Sequence, residues 1–125
     1  MMEQLGFKTE KKEQMIDLTD RIQETVARMG IREGLCLVYC PHTTAAVTIN
    51  ENADPDVKHD ILMKLHQLAD DKGYEHSEGN SDAHVVSSLI GCSEVLPVSE
   101  SKLCLGTWQG IMFLEFDGPR DRKIL

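Results

Sequence analysis

Apolar positions in this chain alternate in short runs more often than they recur at helical spacing. Leu5 and Phe7 alternate within Glu3–Thr9, and Ile16 and Leu18 within Gln14–Leu18. This predicts two strands, joined as a hairpin near Glu10–Lys12. Ile22, Val26 and Met29 then fall at i, i+4 and i+7, so a helix is expected from a Thr19 or Asp20 cap to a stop at Gly30. Leu35–Cys40 is apolar on both alternating faces, as in a central strand. Pro41 ends it, because proline cannot donate to a sheet ladder. After His42-Thr43-Thr44-Ala45-Ala46 a second strand, Val47–Asn50, is expected, the two strands and their PHTTA connection forming one unit.

Asp54-Pro55 is a helix start, with Asp as N-cap and Pro in the first turn. That helix is expected to reach about Ala69 and to bury Val57, Ile61, Leu65 and Leu68, leaving His59 and His66 in solvent. Asp70–Asp82 is a polar loop, longer than structureless connections usually are. Asp82 or Ser81 can cap a helix from Ala83 to about Ile90. On it Val85, Val86, Leu89 and Ile90 form one apolar arc, and His84, Ser87 and Ser88 lie on the other side. Glu94–Val98 and Lys102–Leu105 flank Ser99-Glu100-Ser101 as a hairpin. Gly106–Gly110 is a turn, Ile111–Asp117 a strand, Gly118-Pro119-Arg120 a break, and Asp121–Leu125 a short terminal strand. Strands come in neighbouring pairs rather than alternating singly with helices. The expected class is therefore α+β with a largely antiparallel sheet, seven or eight strands and three helices.

At 125 residues the chain has the length of one domain, 1–125. Its net charge of −8, with 21 acidic against 13 basic residues, argues against nucleic acid as a partner, since that binding rests on clustered Lys and Arg. A small anion held by one or two positioned cations stays compatible. No apolar run approaches the roughly 20 residues that cross a bilayer, so no membrane partner is expected. MMEQLGFKTEKKEQ lacks the apolar core of a signal peptide. The cytoplasm is the expected location. Cys36, Cys40, Cys92 and Cys104 form no Cys-x-x-Cys pair, which argues against a zinc ribbon or dithiol redox motif. Buried reduced thiols are expected, with Cys40 set apart by its place before Pro41-His42.

Candidate chemistry concentrates in YEHSEGNSDAHVVSSLIG, Tyr74–Gly91, where two histidines flank Glu-Gly-Asn-Ser-Asp. His42 sits in the PHTTA turn, where Thr43 and Thr44 offer hydroxyls and backbone donors suited to a phosphate or carboxylate. A turn histidine bonded to backbone is the alternative. His42, His76 and His84 would supply three imidazoles to zinc or a similar divalent ion, although their spacing matches no local zinc signature. Glu51 and Asp54 either orient a ligand or favour a helix N-terminus through its dipole. Glu115 interrupts the apolar strand IMFLEF, as a site acid or a water-facing one. Arg120, after Asp117-Gly118-Pro119, sits on a rigid turn that suits bidentate anion binding. Trp108 and Gln109 lie in a Gly-bracketed turn, placed to contact a flat ring or simply to pack.

Three stretches together, CPHTTAAVTINENADPDV, EGNSDAHVVSSLIG and GTWQGIMFLEFDGPR, resemble the YjbQ family of small proteins, often called secondary thiamine-phosphate synthases. The resemblance covers nearly the whole chain. It implies an α+β fold with an antiparallel β sandwich and about three helices, assembled as a homotrimer with sites near subunit interfaces. It also implies a metal or anion site on His42, His76 and His84, with a divalent ion, zinc or magnesium. Glu51, Asp54, Asn80, Asp82, Gln109, Glu115 and Arg120 are the matching polar positions. The implied activity is a transferase reaction on a small phosphorylated substrate. Hydroxymethylpyrimidine diphosphate would alkylate a thiazole phosphate to give thiamine phosphate and release pyrophosphate. In that scheme His84, Glu115 and Arg120 are catalytic, and Thr43, Thr44, Asn80, Asp82, Gln109 and Arg120 bind substrate. A non-enzymatic trimer that binds a metal or metabolite is the alternative expectation, and a different hydrolytic or transfer reaction at the same site a third.

Overall fold

The computed structural model describes residues 1–70, 72–76 and 79–125. Three α-helices and eight β-strands follow in the order β1 (Leu5–Lys8), β2 (Gln14–Asp17), α1 (Thr19–Arg28), β3 (Gly34–Tyr39), β4 (Ala45–Glu51), α2 (Pro55–Leu68), α3 (Ser81–Ile90), β5 (Ser93–Ser99), β6 (Lys102–Leu103), β7 (Gln109–Glu115) and β8 (Asp121–Ile124). All pairing among the described residues is antiparallel, in the orders β2-β7-β4, β3-β5-β6 and β1-β8. The α+β class with antiparallel sheets and three helices is thus the observed one.

Strand β7 is the centre. Period-2 alternation sends Ile111 and Phe113 to one face and Met112 and Leu114 to the other. The first pair joins Leu18, Ile22 and Val26 around α1 and Val38, Leu96 and Val98 from β3 and β5. The second pair, with Phe116, meets Leu65 of α2, Ala69 at its C-terminal cap, and Ala83 and Val86 of α3. With both faces covered, every residue from Gly110 to Phe116 is buried. The strand read as central, Leu35–Cys40, is half solvent-facing instead: Leu35 is 73% and Leu37 59% exposed, while Val38 and Cys40 point inward.

Strands β1 and β2 are not a hairpin. They pair with β8 and β7 respectively, so the first nine residues are tied to the last ones, with Thr9 N–H donating to Arg120 O at 3.0 Å. Strands β3 and β4 likewise belong to different sheets, β3 on β5 and β4 on β7, and the PHTTA segment crosses between them. The β5–β6 hairpin is formed as expected, its turn made by Glu100 and Ser101 at φ 53° and 64°.

Helix α2 begins as the sequence predicts, Asp54 Oδ1 accepting from Asp56 N–H at 2.9 Å. Its buried stripe is narrower than predicted: Leu65 is buried, Val57 and Ile61 are half-buried, and Leu68 is 63% exposed. Helix α3 is turned relative to its predicted arc. Asp82, Ala83, Val86 and Ser87 face inward and Leu89 lies outside, with Ala83 and Val86 packed in the cluster that holds Ala46 of β4. No helix among the described residues is long and apolar enough to cross a membrane.

Candidate functional site

Three segments meet at the end of the central sheet where β4 starts and β7 finishes. The first is the crossover 41–44. The second is the start of α3, where the Ala83 and His84 N–H groups both reach Asn80 O, at 3.1 and 3.3 Å. The third is the turn 117–120 with the start of β8, carrying a cis peptide at Gly118-Pro119. Between them is an open cleft of ≈ 320 Å³, lined by Pro41, His42, Thr43, Thr44, Asn80, His84, Asp117, Arg120 and Arg122. Its walls are mainly polar, unlike the core on either side.

Beneath the cleft lies a buried ion pair. Glu115 is 0% exposed and Arg122 6%. Arg122 Nε donates to Glu115 Oε1 at 2.8 Å, and its Nη2 donates to Oε2 and, at 2.8 Å, to Thr44 Oγ1. Thr9 Oγ1 donates to Glu115 Oε1 at 2.7 Å, and the Phe116 and Asp117 N–H groups each reach Oε2 at 3.1 Å. Burial would push the Glu115 carboxyl up. The hydrogen bonds from Arg122, Thr9 and the Asp117 amide outweigh that and hold it below its usual range. Glu115 therefore stays ionised with both oxygens engaged, and the catalytic role expected for it is corrected to a structural one.

At the rim, Arg120 is anchored and still accessible. Its Nε donates to Asp117 O at 2.7 Å and its Nη2 to Asp117 Oδ2 at 2.9 Å, while 49% of the side chain remains exposed. Asn80 Nδ2 donates to the same Asp117 Oδ2 at 2.8 Å, so one carboxylate orients two cleft-lining residues. His42 Nε2 lies 3.0 Å from Lys123 N and 3.1 Å from Lys123 O, able to accept from one or donate to the other according to tautomer. The turn-histidine alternative is realised in this contact, although His42 also lines the cleft. Burial and, after it, the Arg122 charge push His42 below the ordinary imidazole value. It is neutral at pH 7.

Both shifts have the same sign for stability. Each group holds its proton less well folded than unfolded, so the unfolded chain takes up protons first as pH falls. The stability tied to His42 is complete above the ordinary value of 6.5 and is lost below it. The part tied to Glu115 is complete above 4.5 and is lost at still lower pH. Urea unfolding between pH 8 and pH 4 is expected to show a plateau that declines in these two windows, and His42→Gln should flatten the upper one.

The other expected residues separate by place. His84 and Thr43 line the cleft, and the Thr44 hydroxyl is taken by Arg122. His76 meets His84 edge-on, ring centroids 5.5 Å apart, and is outside the lining. Asp82 is buried behind the cleft with Oδ2 3.6 Å from Lys12 Nζ. Gln109 is at the other end of β7, opposite Glu51, about 20 Å along the strand from Glu115. Its Oε1 accepts from Gly106 N–H at 2.8 Å and closes the turn, so its substrate-binding role is corrected. Glu51 and Asp54 lie at that distant end too, Asp54 as the α2 cap. Ser77 and Glu78 of the histidine-rich stretch lie outside the described residues. The three histidines do not form a metal centre: no group of three or more His, Cys, Asp or Glu side chains able to hold an ion occurs among the described residues. His42 is engaged at Lys123, and His76 and His84 meet through their rings.

Sequence reasoning missed Arg122, Asp117 and Thr9. The available signal was alternation in Asp121–Ile124, where Arg122 shares the buried face with Ile124 while Asp121 and Lys123 are exposed. It was also wrong for two thiols, since Cys92 and Cys104 are exposed.

Compared with known proteins, residues 3–125 match the family described as UPF0047 protein YjbQ-like. A UPF0047 protein of Methanocaldococcus jannaschii is 48% identical over 98% of this chain and 90% of its own length. UPF0047 protein YugU of Bacillus subtilis is also 48% identical, over 98% and 94%. A Clostridium acetobutylicum crystal structure, described as an uncharacterized conserved protein of the YjbQ/UPF0047 family, is 50% identical with a TM-score of 0.96, covering 99% of this chain and 97% of that one. A Sulfolobus solfataricus structure of a YbjQ-like protein of unknown function is 34% identical with a TM-score of 0.93, over 98% and 91%. These proteins carry the family name without an activity. The expected thiamine-phosphate synthase, a transferase with a histidine-built metal site, and the trimeric metal-binding alternative are corrected accordingly: likeness to this family carries neither.

Proposed function

The chain belongs to the YjbQ-like UPF0047 family, and we propose that its cleft binds a small phosphate-bearing molecule. The observation that carries this reading is the Arg120 guanidinium. It is fixed on one side by Asp117 at 2.7 and 2.9 Å and half-exposed in a concave polar cleft beside Thr43 and His84. A planar guanidinium held by its own carboxylate loses little freedom when it grips an oxyanion, and it offers paired donors that lysine lacks. Thr43 adds a hydroxyl, and His84 is the side chain available to exchange a proton with the bound molecule. The cytoplasm is the compartment proposed, supported by four unpaired cysteines, which an oxidising compartment tends to pair.

The test is calorimetric titration and thermal shift with inorganic phosphate and a panel of phosphomonoesters. Arg120→Ala is expected to weaken binding about 10- to 100-fold, the loss of a charged hydrogen bond worth about 1.5–3 kcal/mol, with little change in the melting temperature of the free protein. Absence of any phosphate-dependent shift in the unaltered protein, or equal affinities in the two proteins, would overturn the reading.

A further inference from the structure

Two cysteines stand opposite each other where the chain leaves β3 for Pro41, a residue of the cleft wall. The β3–β5 register runs to Tyr39↔Ser93. One step further, Cys40 N–H donates to Cys92 O at 2.7 Å, so the pairing continues and places Cys40 opposite Cys92. Opposed residues of an antiparallel pair put their side chains on the same face. In a hydrogen-bonded pair their Cα atoms lie about 5.5 Å apart, within the range a disulfide spans. We propose that Cys40 and Cys92 are a reversible thiol–disulfide site, oxidised by hydrogen peroxide, that ties the strand end before Pro41 to the segment that follows α3.

The two thiols differ in access in the way such a site requires. Cys92 is exposed and both are free; Cys40 is 1% exposed. Burial pushes the Cys40 thiol up, a hydrogen bond from the His42 backbone draws it down, and the Cys92 thiol is close enough to push it up again. Cys92 is therefore the sulfur that meets an oxidant, and Cys40 the one that resolves it. In the first step the Cys92 thiolate attacks one peroxide oxygen. The O–O bond breaks, hydroxide leaves and is protonated to water, and Cys92 becomes a sulfenic acid. In the second, the Cys40 sulfur attacks the Cys92 sulfur and the S–O bond breaks. The departing hydroxide takes the Cys40 proton as water. Two thiols are oxidised, and one peroxide is reduced to two waters.

The bond would connect Cys40, next to Pro41 and His42, with Cys92, two residues after the end of α3, the helix that carries His84. Cys104 is the internal control: it is exposed like Cys92, but its backbone N–H pairs with Pro97 O at 2.9 Å, and no cysteine stands opposite it.

The experiment exposes the full chain to hydrogen peroxide, blocks the remaining thiols, and maps the peptides by mass spectrometry without reduction. The expected result is a Cys40–Cys92 linked peptide lacking two hydrogens, with Cys36 blocked as a free thiol and the link reversed by dithiothreitol. Cys92→Ser, at an exposed position, should fold normally and leave Cys40 blocked as a free thiol. Cys40→Ala, which keeps a small apolar group in the core, should leave Cys92 as a sulfenic or more oxidised acid, or linked between molecules. Recovery of Cys40 as a free thiol in the unaltered protein while Cys92 is oxidised, or a link made through Cys104, would overturn the proposal.

Discussion

Arg122→Ala is expected to destabilise the protein by about 3–5 kcal/mol, the usual cost of leaving one partner of a buried ion pair alone. For a chain of 125 residues this lowers the melting temperature by on the order of 10–20 °C. The Glu115 carboxylate would keep its hydrogen bonds from Thr9 and from the Phe116 and Asp117 amides, but at 0% exposure it would lack a counter-charge. Thr44 would lose the donor to its hydroxyl, and Thr44 stands at the start of β4, directly under the cleft. Glu115→Gln should cost less, because an amide can still accept from Thr9. The double change Glu115→Leu with Arg122→Met should recover part of the Arg122→Ala loss, since it removes both charges and refills the volume, leaving Thr9, Thr44 and two amides short of partners. Urea unfolding of the single and double variants measures the coupling. A loss under about 1 kcal/mol for Arg122→Ala would mean that the pair does not hold this end of the sheet together.

That pair also shows what was legible in the sequence. The three helices were predictable because their signals are local: the Asp54-Pro55 start, the Ile22/Val26 spacing, and the Gly91 stop. The β5–β6 hairpin was legible for the same reason, its turn being two residues long. Pairing between distant strands was not. Nothing near Gln14–Asp17 announces that it adds to β7 rather than to the adjacent Leu5–Lys8. The apolar run Leu35–Cys40 read as more central than IMFLEF, because hydropathy cannot tell a leucine facing solvent from one facing a second layer. At the cleft, His42, Thr43, Asn80, His84 and Arg120 were visible as residue types out of place in ordinary turns. Arg122 was not, because a lone arginine among Asp121 and Lys123 looks like surface charge until Glu115 is placed beneath it. Gln109 misled because a Gly-bracketed polar residue has the same signature whether it binds a ligand or, as here, closes its own turn.

Gly118→Ala should be the most damaging single methyl in the chain, at about 3 kcal/mol, the upper end of ordinary overpacking. A Cβ at this position would run into the Lys11 carbonyl oxygen and would approach Glu115 Cγ and Thr9 Oγ1 to 2.8 Å each. None of the three can easily yield. The first is backbone, in the segment where Lys12 O accepts from Gly118 N–H at 3.0 Å, and the other two are held in the buried network. Gly6→Ala is the matched control: its Cβ would have Arg122 O as nearest neighbour at 4.0 Å, so a change within about 0.5 kcal/mol is expected. The comparison also separates stability from binding. Asp117 precedes Gly118 and Arg120 follows it by two residues, so a displaced turn moves the guanidinium, and phosphate affinity should fall along with stability. Arg120→Ala breaks only a partly exposed ion pair, worth about 0–1 kcal/mol, and should lose affinity while remaining stable. If Gly118→Ala melts within a degree or two of the unaltered protein, the close packing of the β7–β8 turn against residues 9–12 is not what fixes Arg120 in place.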